Sequence, residues 1–191
     1  MGIFKVAQMG HPVLRQVAEP VKPEQIAQDE FQQFCEDMLE TMFEYGGVGL
    51  AAPQVHVLLR VVVLELSEDR GPEFLINPQI EVLAETTSLN WEGCLSVEGI
   101  RGLVERPDHV RVTALDRDGS EKVLELEGYP AVVVQHECDH LDGVLYIDHA
   151  DPVSLAFLPE FKRYGPLVGP VEDDVEDEDD VEDVPDEDLE P

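Results

Sequence analysis

The sequence predicts an α+β domain in which antiparallel β-sheets surround a central helix, with a long N-terminal helix and a C-terminal helix beside them. Two observations predict it. Short β-branched runs, separated by turn residues, fill the middle of the chain, which is typical of antiparallel strands. Apolar residues at helical spacing mark one long segment before these runs and another after them.

The N-terminal helix is predicted to begin near Pro23 and to end at Gly46 and Gly47. Its apolar residues recur at helical spacing and should face the core: Phe31, Phe34, Cys35, Met38, Met42 and Phe43. We interpret Cys35 and the methionines as core packing rather than as reactive groups.

Short strands are predicted at four places in the middle of the chain: residues 57–66, 74–76, 79–84 and 86–90. Asp118 and Gly119 lie between two further alternating runs, residues 110–115 and 122–126. An Asp-Gly pair between two such runs predicts a β-hairpin.

Acidic residues are unevenly distributed along the chain. Its 191 residues suit one domain, and the net charge is −31. The last 21 residues hold 14 of the 43 acidic residues and no Lys or Arg, so we predict a folded domain over residues 1–165 and a disordered acidic tail over residues 166–191. That tail is either simply solvated or binds an unknown partner. The part of the chain before the tail also has a net negative charge, which would repel the phosphates of a nucleic acid and argues against direct nucleic-acid binding.

Nothing in the sequence predicts a membrane segment or a secretory leader. No run of 18 apolar residues occurs, and the first nine residues lack an apolar signal core. Three cysteines, an odd number, suit reduced thiols rather than a disulfide framework. We therefore predict a cytoplasmic protein.

Residues 135–140 carry the motif His-Glu-x-x-His. On a helix, His136 and His140 project from one face and can hold a single divalent cation. Glu137 lies beside them, where it can take a proton from a metal-bound water. The helix is predicted to begin near Pro130 and to end at Gly143. Its buried apolar stripe consists of Val134, Cys138, Leu141 and Leu145.

A catalytic metal needs at least one more protein ligand, and Cys94 is the candidate. A cation promotes loss of the thiol proton, so Cys94 can bind as a thiolate. His149 follows His140 by nine residues, which does not match the spacing of the metzincin histidine. Cys138 should point into the core, two residues from His136.

The glycine-rich segment 46–54 allows three interpretations. Phosphate binding is weakly supported, because the lysine and Ser/Thr of a P-loop and a preceding strand are missing. A second interpretation is a tight segment whose backbone contacts an extended substrate while Gln54 supplies a side-chain amide. The third is a turn that ends a helix.

Three segments together resemble peptide deformylases, in the order found in that family: residues 47–54, Glu92-Gly93-Cys94-Leu95-Ser96 and residues 135–143. His11-Pro12-x-Leu14-Arg15 matches as well. The resemblance covers roughly residues 3–165, which makes residues 1–165 a deformylase-like catalytic domain. The acidic tail and the negative charge of the body depart from the family.

The resemblance implies a hydrolase that removes the N-formyl group from N-terminal formyl-methionine of nascent chains and releases formate. The roles that it implies divide into three sets. Cys94, His136 and His140 would bind the metal. Glu137 would be the general base, and Gln54 and the Leu95 N–H would bind the oxyanion. Val48, Gly49 and Gly93 would contact the substrate backbone, and Val132 would line the methionine pocket.

The implied metal is Fe²⁺, with Zn²⁺ or Ni²⁺ as alternatives, since two histidines and a cysteine suit several ions. Two other classes stay open. A metalloprotease acting on internal peptide bonds shares His-Glu-x-x-His but needs a downstream ligand that the sequence lacks. A binding protein that has lost the chemistry would lack a motif residue, and none is missing.

Overall fold

The computed structural model describes residues 2–66 and 71–169. The α-helices are α1 (Pro23–Ile26), α2 (Asp29–Glu44), α3 (Tyr129–Leu141) and α4 (Leu158–Tyr164). The strands are β1 (Gly49–Ala51), β2 (Val61–Leu64), β3 (Glu73–Val82), β4 (Thr87–Cys94), β5 (Val97–Pro107), β6 (His109–Leu115), β7 (Glu121–Glu127) and β8 (Ala156–Phe157). Short 3-10 helices occupy Pro12–Arg15, Ala52–Val55 and Tyr146–Asp148.

The strands form two antiparallel sheets, which confirms the predicted α+β class. Their orders are β1-β2-β3-β6-β7 and β4-β5-β8. In the first sheet, β6 and β7 form the hairpin predicted around Asp118 and Gly119, with Leu115 opposite Glu121. Both β1 and β4 are edge strands of their sheets, which leaves each of them one side without a strand partner in the described structure.

Helix α3 is the central element. Ten of its 13 residues are buried, so it must be covered on nearly every side. Ala131, Val133, Val134 and Leu141 share one core cluster with residues of β2, β3 and β6. Within the described residues, no helix is long and apolar enough to cross a membrane.

The chain leaves α3 through Gly143. This glycine has a φ of 74°, and a Cβ on it would lie 2.8 Å from the backbone carbon of Arg15, so only glycine fits without a shift. Leu145, which was assigned to the helical stripe, lies beyond the end of α3, although its side chain is buried.

The single N-terminal helix that the sequence predicted is two helices. Gln28 has an extended backbone and precedes α2, while the side-chain amide of Gln32 donates to the carbonyl of Ile26 at 2.7 Å and so satisfies the end of α1. Spacing alone could not reveal this break, because Ile26 and Phe31 pack in the same core cluster. Phe43, expected in the core, is 47 % exposed.

Three of the predicted strands have wrong bounds. Residues 74–76 and 79–84 belong largely to one strand, β3, in which the register shifts between Ile76 and Gln79. Asn77 lies at this bulge with a φ of 54°, and its side chain bonds both the N–H and the carbonyl of Val21. The predicted strand 57–66 shrinks to Val61–Leu64, because the preceding residues bond the backbone of Glu19 instead.

The acidic tail predicted at residues 166–191 lies outside the described residues from residue 170 onward.

Candidate metal centre

Two elements bring the three predicted ligands together. Helix α3 carries His136 and His140 one turn apart, with ring centroids 5.1 Å from each other. Cys94 ends β4, where the register with β5 shifts, and its sulfur lies 3.3 Å from His140 Nε2. One ligand atom from each of the three residues lies within 4.8 Å of the other two. This spacing allows one ion to contact all three.

A buried ion pair orients His136. Its Nδ1 lies 2.7 Å from Glu92 Oε2, which leaves Nε2 free to face Cys94. Arg106 donates to both oxygens of Glu92, at 2.5 and 3.0 Å, and to Asp139 at 2.8 Å. A carboxylate on the far nitrogen of a histidine fixes the ring and raises its basicity, which is a common support for a metal ligand.

The charges at the centre fit a divalent cation. Burial holds the pKa of His140 well below its usual value, so its ring is neutral and can donate a lone pair. Burial alone would also lower the pKa of His136, but its bonds with Cys94 and Glu92 raise it to about 10. The groups that favour a proton on His136 would equally favour a metal ion there. One sulfur and two imidazole nitrogens suit Zn²⁺ or Fe²⁺.

Glu137 lies next to the three candidate ligands. Its carboxyl group is buried, and Oε2 has no hydrogen-bond partner among the described residues. Burial raises the pKa of Glu137 to about 7, which suits a group that both accepts and releases a proton near neutral pH. A Cβ on Gly49 would lie 2.6 Å from its Oε1, so the close approach of β1 requires a glycine.

Gln54 is held rigidly beside the sulfur. Its side chain is 1 % exposed, and Oε1 accepts a bond from the Ala51 N–H at 2.8 Å. The amide nitrogen Nε2 is thereby turned toward Cys94 Sγ, at 3.5 Å, and toward Ser96 Oγ, at 3.2 Å. Leu95 directly follows Cys94 in the chain, and its side chain is half-buried.

A cavity of about 540 Å³ opens over these groups. Nine of the ten site residues predicted from the sequence line it: Val48, Gly49, Gln54, Gly93, Cys94, Leu95, Val132, His136 and Glu137. The tenth, His140, is 1 % exposed and lies beneath the cavity. Cys138 packs in the core, where burial raises its pKa to about 12, and His149 approaches Asp139 rather than the centre.

The family model described as Polypeptide deformylase matches residues 3–155. The chain belongs to this family. A peptide deformylase of Cellvibrio japonicus is 48 % identical over 153 residues, which cover 80 % of this chain and 89 % of that protein. Family members remove N-formyl groups from nascent polypeptides in a metal-dependent reaction, and the chain is therefore a metal-dependent hydrolase of this kind.

Solved structures of deformylases share the fold. The crystal structure from Thermotoga maritima is 40 % identical, with a TM-score of 0.74, and covers 80 % of this chain and all of that one. A class I type b deformylase from Acinetobacter baumannii, solved with Met-Ala-Ser bound, is 34 % identical with a TM-score of 0.74, and the match covers 78 % of this chain and 98 % of that one. The fold that positions this candidate site is therefore the deformylase fold.

The residues that support the candidate metal ligands were not predicted from the sequence. Glu92 stands inside the Glu-Gly-Cys motif but received no role, although a carboxylate two residues before a ligand was a usable signal. Arg106 gave no signal, because its contact with Glu92 spans 14 residues and depends on the pairing of β4 with β5. Tyr146 was missed as well, and its ring stacks on His136 with centroids 5.8 Å apart.

Proposed function

We propose that Cys94, His136 and His140 hold one divalent cation, and that the neighbouring residues hydrolyse the formyl amide of N-terminal formyl-methionine. One observation carries the proposal. A sulfur and two imidazoles converge within 4.8 Å of each other. Beside them lies a buried carboxylate, one oxygen of which has no hydrogen-bond partner in the described part of the chain. When bound, the cation supplies Lewis acidity and lowers the pKa of water.

Glu137 moves the proton. Its carboxylate accepts a proton from the attacking water, and its raised pKa allows it to release that proton again near neutral pH. The water oxygen adds to the formyl carbon, the carbon–nitrogen bond breaks, and the proton passes to the leaving nitrogen. The products are formate and a free amino terminus.

Two donors stabilise the charge that develops on the formyl oxygen. Gln54 Nε2 already points at the centre, because Ala51 fixes the other end of the amide. The N–H of Leu95 is the second donor. Preorganised donors of this kind contribute about 2.7–4 kcal/mol each to a transition state.

The substrate lies between two sheet edges. Val48 and Gly49 mark the start of edge strand β1, and Gly93 belongs to edge strand β4. All three line the cavity, so an extended peptide between them can add backbone hydrogen bonds to either edge. Val132, one turn before His136 on α3, lines the place for the methionine side chain.

Fe²⁺ is the ion that we propose for the working enzyme, with Zn²⁺ or Ni²⁺ as substitutes that the same ligands accept. The substrates are N-formyl-methionyl peptides and nascent chains, and the structure of the Acinetobacter relative with bound Met-Ala-Ser supports peptide substrates. We further propose a cytoplasmic location and a division into a catalytic domain, residues 1–165, and an acidic tail, residues 166–191. No direct nucleic-acid partner is expected, and a partner of the tail stays a prediction.

Cys94→Ser tests the ligand set. Serine keeps the shape but is a poor ligand for a soft site, so metal content after anaerobic purification should fall and formate release should fall with it. Wild-type protein measured in parallel on formyl-Met-Ala-Ser, acetyl-Met-Ala-Ser and an internal peptide should release product from the formyl peptide alone. Unchanged metal content in Cys94→Ser would overturn the assignment of the sulfur.

A further inference from the structure

A short N-terminal segment, residues 7–9, contacts both segments that carry the proposed oxyanion donors. The N–H of Ala7 donates to the carbonyl of Gln54 at 2.7 Å. The N–H of Met9 donates to the carbonyl of Ser96, also at 2.7 Å. Two backbone bonds thus tie the 3-10 helix at Gln54 to the turn after β4.

Gln8, between these two residues, makes the third bond. Its side-chain Nε2 donates to the carbonyl of Leu95 at 3.0 Å. That carbonyl and the N–H of Ser96 belong to one planar peptide unit. The Ser96 N–H of this peptide unit donates to Cys94 Sγ, with a nitrogen–sulfur distance of 3.4 Å.

One peptide unit therefore links Gln8 to the sulfur. A hydrogen bond at the carbonyl end fixes the plane of the peptide and polarises its N–H. Hydrogen bonds to a ligating sulfur change how much charge it donates to a metal. The side-chain amide of Gln54 also donates to this sulfur, at 3.5 Å.

We propose that Gln8 is a positioning residue: it holds the Leu95–Ser96 peptide so that the Ser96 N–H stabilises the Cys94 thiolate as a ligand. This inference rests on the proposed ligand role of Cys94. Gln8 is exposed and lies outside the core clusters, so it contributes little to packing. Its side chain also borders the cavity, where the competing role is a direct contact with the substrate.

The test compares Gln8→Glu and Gln8→Ala with the matched control Gln16→Ala. Glutamate keeps the size of the side chain but removes its N–H donor. Gln16 is another exposed amide of the same N-terminal region, and it donates to the carbonyl of Pro12 at 3.2 Å, away from the site. Each full-length protein is loaded with Co²⁺, whose thiolate charge-transfer absorption reports on the sulfur, and its Co²⁺ affinity is measured against a chelator.

Both Gln8 variants should shift the charge-transfer band and weaken Co²⁺ binding about three- to tenfold, the range that one net hydrogen bond represents. On formyl-Met-Ala-Ser, kcat should fall while KM stays near that of the wild type. Gln16→Ala should behave as wild type in all three measurements. An unchanged band and affinity would overturn the proposal, and a rise in KM alone would assign Gln8 to substrate binding. A wild-type protein without a thiolate band would instead overturn the ligand role of Cys94 itself.

Discussion

Replacing Glu92 by glutamine tests whether the buried ion pair supports the metal centre. The side chains of Glu92 and Arg106 are 5 % and 6 % exposed, so the charge of the arginine depends on this carboxylate. Removing one partner of a buried pair costs about 3–5 kcal/mol. We expect the lower end, about 3 kcal/mol, because Arg106 keeps its bond to Asp139 and the new amide oxygen can still accept.

A loss of that size lowers the midpoint of thermal unfolding by about 6–12 °C for a domain of this length. The same change weakens the acceptor that fixes His136, so the affinity for the metal should fall about 10- to 100-fold. The measurements are thermal unfolding of the metal-free protein and competition for Zn²⁺ with a chelator. Unfolding of the metal-free protein isolates the ion pair from the effect of metal loss.

Glu125→Gln is the matched control. Glu125 also pairs with an arginine across neighbouring strands, at 2.6 Å from Arg111, but this pair is exposed. An exposed pair contributes little, so stability and metal affinity should stay near those of the wild type. If Glu92→Gln also matched the wild type in both measurements, the reasoning about the buried pair would be refuted.

Three further predictions concern the reaction and the tail. Glu137→Ala should keep its metal, measured by metal analysis, but lose about 10²- to 10⁴-fold in kcat, and retained turnover would remove Glu137 from proton transfer. In Gly49→Ala, the added Cβ would lie 2.6 Å from Glu137 Oε1 and would displace this carboxylate. Displacing a catalytic group should lower kcat about tenfold or more. An unchanged kcat would show that β1 can move aside. Deletion of residues 171–191 should leave kcat/KM on short formyl-Met peptides intact, and a large loss would mean that the tail contributes to the site.

One part of the proposed site could be predicted from the sequence alone, because its residues are close together in the chain. His136, Glu137 and His140 share one helical segment, whose spacing predicts one face. Cys94 lies 42 residues earlier and was reached by asking which residue type could complete the ligand set. Its position beside the histidines depends on how β4 packs against α3, and residue spacing cannot predict that packing.

Supporting residues could not be predicted, because their contacts depend on tertiary structure. Gln8 reaches Leu95 across 87 residues, and Glu92 reaches His136 across 44. Neither contact leaves a periodic signal. The fold class followed from the alternating runs, whereas strands β1 and β8, of three and two residues, were too short to give a pattern.

X-ray absorption at the metal edge of the loaded protein tests the central claim most directly. With Zn²⁺ bound, we expect one sulfur at about 2.3 Å and two imidazole nitrogens at about 2.0–2.1 Å, and the sulfur should disappear in Cys94→Ser. A metal shell without sulfur, or one that keeps its sulfur in that variant, would contradict a centre built from Cys94, His136 and His140.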